Sequence, residues 1–148
     1  TESKQLDSLN KSGYSIKGIK NPDVELQLAV VNQNEKAIQF IENPAKKVQL
    51  AAIKKSYYAI RYIKNPDKEA QLAAVNQSHY AIRYIENPTI EAQLAAVKQS
   101  HYAIQFIKKP AKEVQLAAVE QSYYAIKFIK DPDIEAVKLY YRKMREDN

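Results

Sequence analysis

The side chains in this 148-residue chain that could do chemistry are few, and their spacing does not suit catalysis. The only histidines, His79 and His101, stand 22 residues apart with no companion carboxylate at ligand spacing, so a metal centre is not supported. There is no cysteine, which removes thiolate metal sites, cysteine nucleophiles and disulfide frameworks. Ser56, Ser78, Ser100 and Ser122 have no base placed to activate them. Two glycines, Gly13 and Gly18, are too few for a phosphate-cradling loop. Glu25, Glu69, Glu91, Glu113 and Glu135 recur one at a time, not as an acid–base pair, and suit helix starts. The expectation is a non-enzyme with no cofactor, no metal and no small-molecule substrate.

Recognition chemistry is better represented, in three side-chain ladders of 22-residue spacing. In the first, Tyr57, His79, His101 and Tyr123 are followed four residues on by Arg61, Arg83, Gln105 and Lys127. Planar rings beside cations can stack bases or grip an acidic, aromatic-bearing partner. The same rings can also simply cover joints between neighbouring helices. The second ladder, Tyr58, Tyr80, Tyr102 and Tyr124, with Tyr14 before it, falls at the edge of an apolar face. Packing is its expected role, ring inward and hydroxyl outward. The third is Gln5, Gln27, Gln49, Gln71, Gln93 and Gln115. A buried amide in every unit can bond between units and fix their register, and this structural role is favoured over a hydrogen-bonding strip along a groove.

The elements that carry these ladders follow from the prolines. All six fall at one spacing: Pro22, Pro44, Pro66, Pro88, Pro110 and Pro132. A fixed period of this size marks a stack of small units, none able to bury its apolar surface alone. Units begin near 19, 41, 63, 85, 107 and 129, with a partial capping unit over 5–18, so a single repeat domain over 1–148 is expected. Each unit predicts two short helices. Asn65 is expected to cap the first, with Pro66 at its first position. Ser78 is expected to cap the second, HYAIRYI. On the first helix, Leu72 and Val75 are expected to fill the core, while Ala70, Ala73 and Ala74 allow close approach on another side. Asp7 and Ser8 at one end, and the charged run KLYYRKMREDN at the other, predict polar end caps.

The unit NP-x-x-E-x-QLAAV-x-Q-x-x-YAI-x-Y resembles short helical repeats of uncharacterised bacterial and phage proteins. In architecture it is similar in kind to the larger HEAT and armadillo repeats. The resemblance, which covers the chain from Gln5 onward, implies an all-α, right-handed α-solenoid of about six helix-turn-helix repeats. Solenoids of known function mostly bind, which is an argument by analogy.

Lys and Arg number 23 against 17 Asp and Glu, a net charge of +6 that gives an anionic partner modest help. No stretch approaches the ~18 apolar residues of a membrane span, and residues 1–20 hold no apolar run of a signal peptide. A soluble, cytoplasmic protein-binding module or scaffold is the expected function, with the Tyr57–Lys127 ladder as contact strip and a protein as partner. The alternative is a nucleic-acid-binding solenoid using the same strip, with Lys64, Lys108 and Lys130 on phosphates. Glu42 and Glu86 interrupt that basic track and are expected to pair with Lys20, Lys64 and Lys108. A structural or assembly role ranks third.

Overall fold

The computed structural model describes residues 14–148, so Gln5, Asp7, Ser8 and Gly13 of the expected opening cap lie outside the described residues. The described chain is all-helical, without a strand, and divides into two compact units, one up to Ala74 and one from Val75. The first holds η1 (Tyr14–Gly18), α1 (Val24–Gln33), η2 (Glu35–Phe40), α2 (Lys46–Lys55), η3 (Tyr57–Tyr62) and the start of α3 (Lys68–Gln77). The second holds η4 (His79–Tyr84), α4 (Ile90–Gln99), η5 (His101–Phe106), α5 (Lys112–Gln121), η6 (Tyr123–Phe128) and α6 (Ile134–Glu146). In the first unit α1 packs on α2 and η2 on η3. In the second α4 packs on α5 and α5 on α6, while η4, η5 and η6 pack in series. Each unit is thus two-layered and sequentially packed, as in an all-α repeat solenoid.

The second helix of each repeat is a 3₁₀ helix, where an ordinary helix was the natural expectation. The reason is length: only six residues lie between the serine that ends the α-helix and an extended isoleucine. Ser56 does both jobs, its N–H closing on the Ala52 carbonyl at 3.2 Å while its side chain accepts the Tyr58 N–H at 3.2 Å. Ser78 caps Tyr80 likewise, as the sequence predicts. A six-residue segment gains little from i→i+4 bonding and closes instead on i→i+3 bonds, as from Ile63 N–H to Ile60. Its side chains therefore repeat every three residues.

The helix start also differs from expectation. Asn65 and Pro66 precede α3 rather than opening it, and the cap is the residue after proline. The Asp67 carboxylate accepts the Glu69 N–H at 3.1 Å, and Thr89 accepts from Ala92 at 3.1 Å. Asp23 and Asp133 do the same in their units. The residue before proline can serve the turn instead: Asn21, Asn43 and Asp131 adopt left-handed φ values of 52°, 51° and 51°. Asn and Asp tolerate that region better than other side chains, which accounts for their place before proline. Hydrogen bonding with Glu69, helped by Lys46 and Lys68, holds the Asp67 carboxyl below its ordinary value. This cap is at full strength above the usual aspartate range and weakens as pH falls through the lowered value.

The glutamines connect one repeat to the next. Gln27, Gln49, Gln71, Gln93 and Gln115 are all buried. Gln93 Nε2 donates to the Pro88 carbonyl at 2.9 Å in its own repeat, and its Oε1 accepts the Ala111 N–H of the next at 3.5 Å. Gln49 binds Pro44 and Asp67 at 3.0 and 2.8 Å, Gln115 binds Pro110 and Asp133 at 3.1 and 2.8 Å, and Gln27 bridges Pro22 and Ala45 in the same way. A second series of donors closes the helix ends. Gln99 Nε2 reaches the Val75 carbonyl at 2.6 Å and Gln121 reaches Lys98 at 2.8 Å, while Lys55 holds the Asn32 carbonyl. These satisfy last-turn carbonyls that have no partner inside their own helix.

The glutamine position also decides which face is the core. On α4, Ala92, Gln93, Ala96 and Val97 are buried, and Leu94 and Ala95 are only half-buried. Leu72, like Leu94, sits on the flank, so the core is not where leucine suggests it is. Pointing the amide at the next repeat rotates the leucine outward. Alanine, valine and isoleucine fill the interior, with Ile60, Ile82 and Ile104 from the 3₁₀ layer almost fully enclosed.

Ile104→Ala should therefore cost about 2–5 kcal/mol by cavity formation, and Leu94→Ala less than half as much. Gln93→Leu should cost about 1–3 kcal/mol by stranding a carbonyl and an N–H. Urea unfolding of the three variants checks the order, and equal losses at positions 94 and 104 would contradict it.

Candidate functional site

The 3₁₀ period rearranges the predicted strip. Residues three apart nearly eclipse, so the partner of Arg61 is Tyr58 and not Tyr57, which suited α-helical spacing. Arg61 donates to the Tyr58 hydroxyl, and its guanidinium carbon lies 5.6 Å from that ring centre. In the second unit Lys127 Nζ lies 5.2 Å from the Tyr124 ring in the same i,i+3 relation. Gln105 turns back to the Tyr102 carbonyl at 2.9 Å. Arg83 reaches instead to the next segment, its guanidinium carbon 4.9 Å from the Phe106 ring and 5.9 Å from Tyr84.

Exposure reverses the expected roles of the two aromatic ladders. Tyr80, Tyr102 and Tyr124 were expected to turn their rings inward, yet they stand 48%, 50% and 52% exposed. His79, His101 and Tyr123, chosen as the contact strip, are half-buried behind them. Ring centres of His79 and Tyr80 lie 4.3 Å apart, of His101 and Tyr102 4.1 Å, and of Tyr123 and Tyr124 4.6 Å. The first ladder is a backing plate for the second, and the buried Nε2 of His101 makes no hydrogen bond among the described residues.

A further aromatic position completes the wall. Phe106 and Phe128, each from the following segment, lie 6.3 Å from Tyr80 and 5.2 Å from Tyr102. Sequence reasoning missed this ladder, although Phe40, Tyr62, Tyr84, Phe106 and Phe128 are aromatic in every unit at the same spacing. Each exposed tyrosine of η4 and η5 is therefore held between two rings, with the rest of its surface open to solvent. Such ring pairs contribute roughly 0.5–1.5 kcal/mol beyond their buried area, enough to fix their orientation.

The charges around this wall are solvated. Lys64, Lys108 and Lys130 are exposed, as are Glu42 and Glu86. The expected glutamate–lysine ladder does not form among the described residues. The ion pairs there are Lys46–Glu69 at 3.4 Å, Lys138–Glu135 at 3.8 Å and Lys143–Glu120 at 3.1 Å. All three lie on first helices: Lys46–Glu69 and Lys143–Glu120 cross between adjacent repeats, and Lys138–Glu135 is one turn apart within α6. Among the described residues no three His, Asp or Glu side chains gather into a metal-binding group, and no helix is long and apolar enough to cross a membrane.

The Tyr123 hydroxyl is pushed up to about 12, mainly by hydrogen bonding with Tyr124, with desolvation and the nearby Asp147 carboxylate adding. The raised value means its stabilising contribution is intact below the ordinary tyrosine value and is lost as pH rises toward 12. Ultraviolet titration should show that Tyr123→Phe removes the latest-ionising phenol. Loss of a component at the ordinary tyrosine value would contradict that environment.

Compared with protein-family models, curated proteins and solved structures, the chain matches none of them.

Proposed function

We propose that the chain is a cytoplasmic, non-catalytic binding module whose tyrosine wall on η4–η6 docks a protein segment bearing acidic and apolar side chains. The observation that carries this reading is the half-exposure of Tyr80, Tyr102 and Tyr124 in one series, with the first two held between neighbouring rings. Rigid, amphipathic rings give a partner large contact area at low ordering cost, and tyrosine is enriched at binding hot spots for that reason. Arg83 and Lys127 lie over ring faces within the wall, ready to meet carboxylates. The residues first predicted as contacts, His79, His101 and Tyr123, act behind the surface in this reading, while Arg83, Gln105 and Lys127 stay at it.

Nucleic acid suits the wall less well. In the second unit the flanking positions run Glu86, Lys108, Lys130, with Lys109 and Asp131 beside the last two, so phosphates would meet a carboxylate at each end of a short basic stretch.

The test uses Tyr80→Ala, Tyr102→Ala and Tyr124→Ala together. The triple variant should stay folded, since the changes are at exposed positions, and should lose a protein captured by the wild-type chain from nuclease-treated lysate. A loss above about 2 kcal/mol is the hot-spot expectation. Capture that is unchanged by the triple variant, or that vanishes with nuclease and falls steeply with salt, would overturn the reading.

A further inference from the structure

A second surface lies on the α-helical layer of the same unit. α5 and α6 leave an open groove of about 840 Å³ with Leu116, Ala117 and Leu139 along its floor. Two turns of a helix about 10–12 Å across, at 5.4 Å per turn, fill a comparable volume. α6 departs here from the other first helices, with Lys138 and Leu139 where α4 and α5 carry leucine and alanine. The groove also differs in charge: Lys112, Lys138, Arg142 and Arg145 line it, against Glu120 and Glu135. Both carboxylates are already engaged, Glu120 by Lys143 at 3.1 Å and Glu135 by Lys138 at 3.8 Å. Lys112, Arg142 and Arg145 form no ion pair among the described residues. The surface is therefore an apolar trough whose available charge is positive.

We propose that this groove docks an acidic amphipathic helix, its apolar stripe on Leu116, Ala117 and Leu139 and its carboxylates on Lys112, Arg142 and Arg145. An apolar stripe of i, i+3, i+4, i+7 spacing matches the trough, and flanking acids meet cations at its edges. Opposed charge selects such a partner over a basic or neutral helix. Phosphate chains fit poorly, because the apolar floor of Leu116, Ala117 and Leu139 gives them no partner. This surface is separate in chemistry from the tyrosine wall and does not depend on it.

The test measures fluorescence anisotropy of a labelled, helix-forming peptide of about 18 residues, with leucines at helical spacing and glutamates on both flanks. A scrambled peptide, a lysine-for-glutamate peptide and a single-stranded oligonucleotide competitor run beside it. The acidic helix should bind the full chain, the scrambled and basic peptides should not, and the oligonucleotide should not displace it. Arg142→Glu with Arg145→Glu should weaken binding about tenfold or more, while the tyrosine triple variant should leave it unchanged. Arg142→Ala with Arg145→Ala is the milder form, used if circular dichroism shows that charge reversal disturbs the fold. Absence of binding, equal binding of the scrambled peptide, indifference to both arginine variants, or displacement by the oligonucleotide would each overturn the proposal.

Discussion

A buried amide must find partners for both its ends, and Gln93 finds one in each of two repeats. Its N–H₂ group closes on the proline carbonyl that precedes its own helix, and its oxygen receives the first free N–H of the next repeat's turn. Gln27, Gln49 and Gln115 make the same pair of bonds. Apolar packing alone is non-directional and would tolerate sliding between helices. A two-ended hydrogen bond fixes the offset between consecutive repeats, because any shift leaves two polar groups unpaired out of water. The core can then consist of small alanine and valine contacts, which need close and constant spacing to be worth anything.

That constraint reaches the surface through the short second segment. The glutamine fixes where the next α-helix begins, and the serine that ends the helix, replaced by Asn34 after α1, marks where the next segment starts. The six residues between the serine and the extended isoleucine close as two 3₁₀ turns, and the threefold period sends one isoleucine and one alanine inward and one tyrosine outward. The exposed tyrosines are spaced by the repeat itself. Their neighbours, a ring before and a ring from the following segment, hold the first two of them in place. The surface is thus ordered before any partner arrives.

The sequence disclosed the helical repeat, the caps at Ser56 and Ser78 and the buried glutamines because each depends on residue type and spacing alone, whereas Ser100 and Ser122, at the same position, make no side-chain cap bond. What it concealed depends on helix period. Arithmetic at 3.6 residues per turn paired Tyr57 with Arg61 and turned Tyr80, Tyr102 and Tyr124 inward, and a 3₁₀ segment undoes both assignments. Residue type alone puts Leu72 in the core, although the glutamine beside it decides the rotation of the helix and leaves that leucine half-buried. Pro66 was placed inside the helix because proline favours the first turn, whereas Asp67 supplies the cap one residue later. The Phe106 and Phe128 ladder was visible in the repeat, but it had no evident role until the tyrosines were known to face solvent.

Tyrosine nitration of the free chain and of its complex with a captured protein, mapped by peptide mass, addresses the central claim directly. Free chain should react at Tyr80, Tyr102 and Tyr124, which stand about half exposed. The complex should protect those three together while leaving Tyr141, also half exposed but on α6, reactive. Full reactivity of the three tyrosines in a complex that remains intact would contradict the claim that this wall is the docking surface.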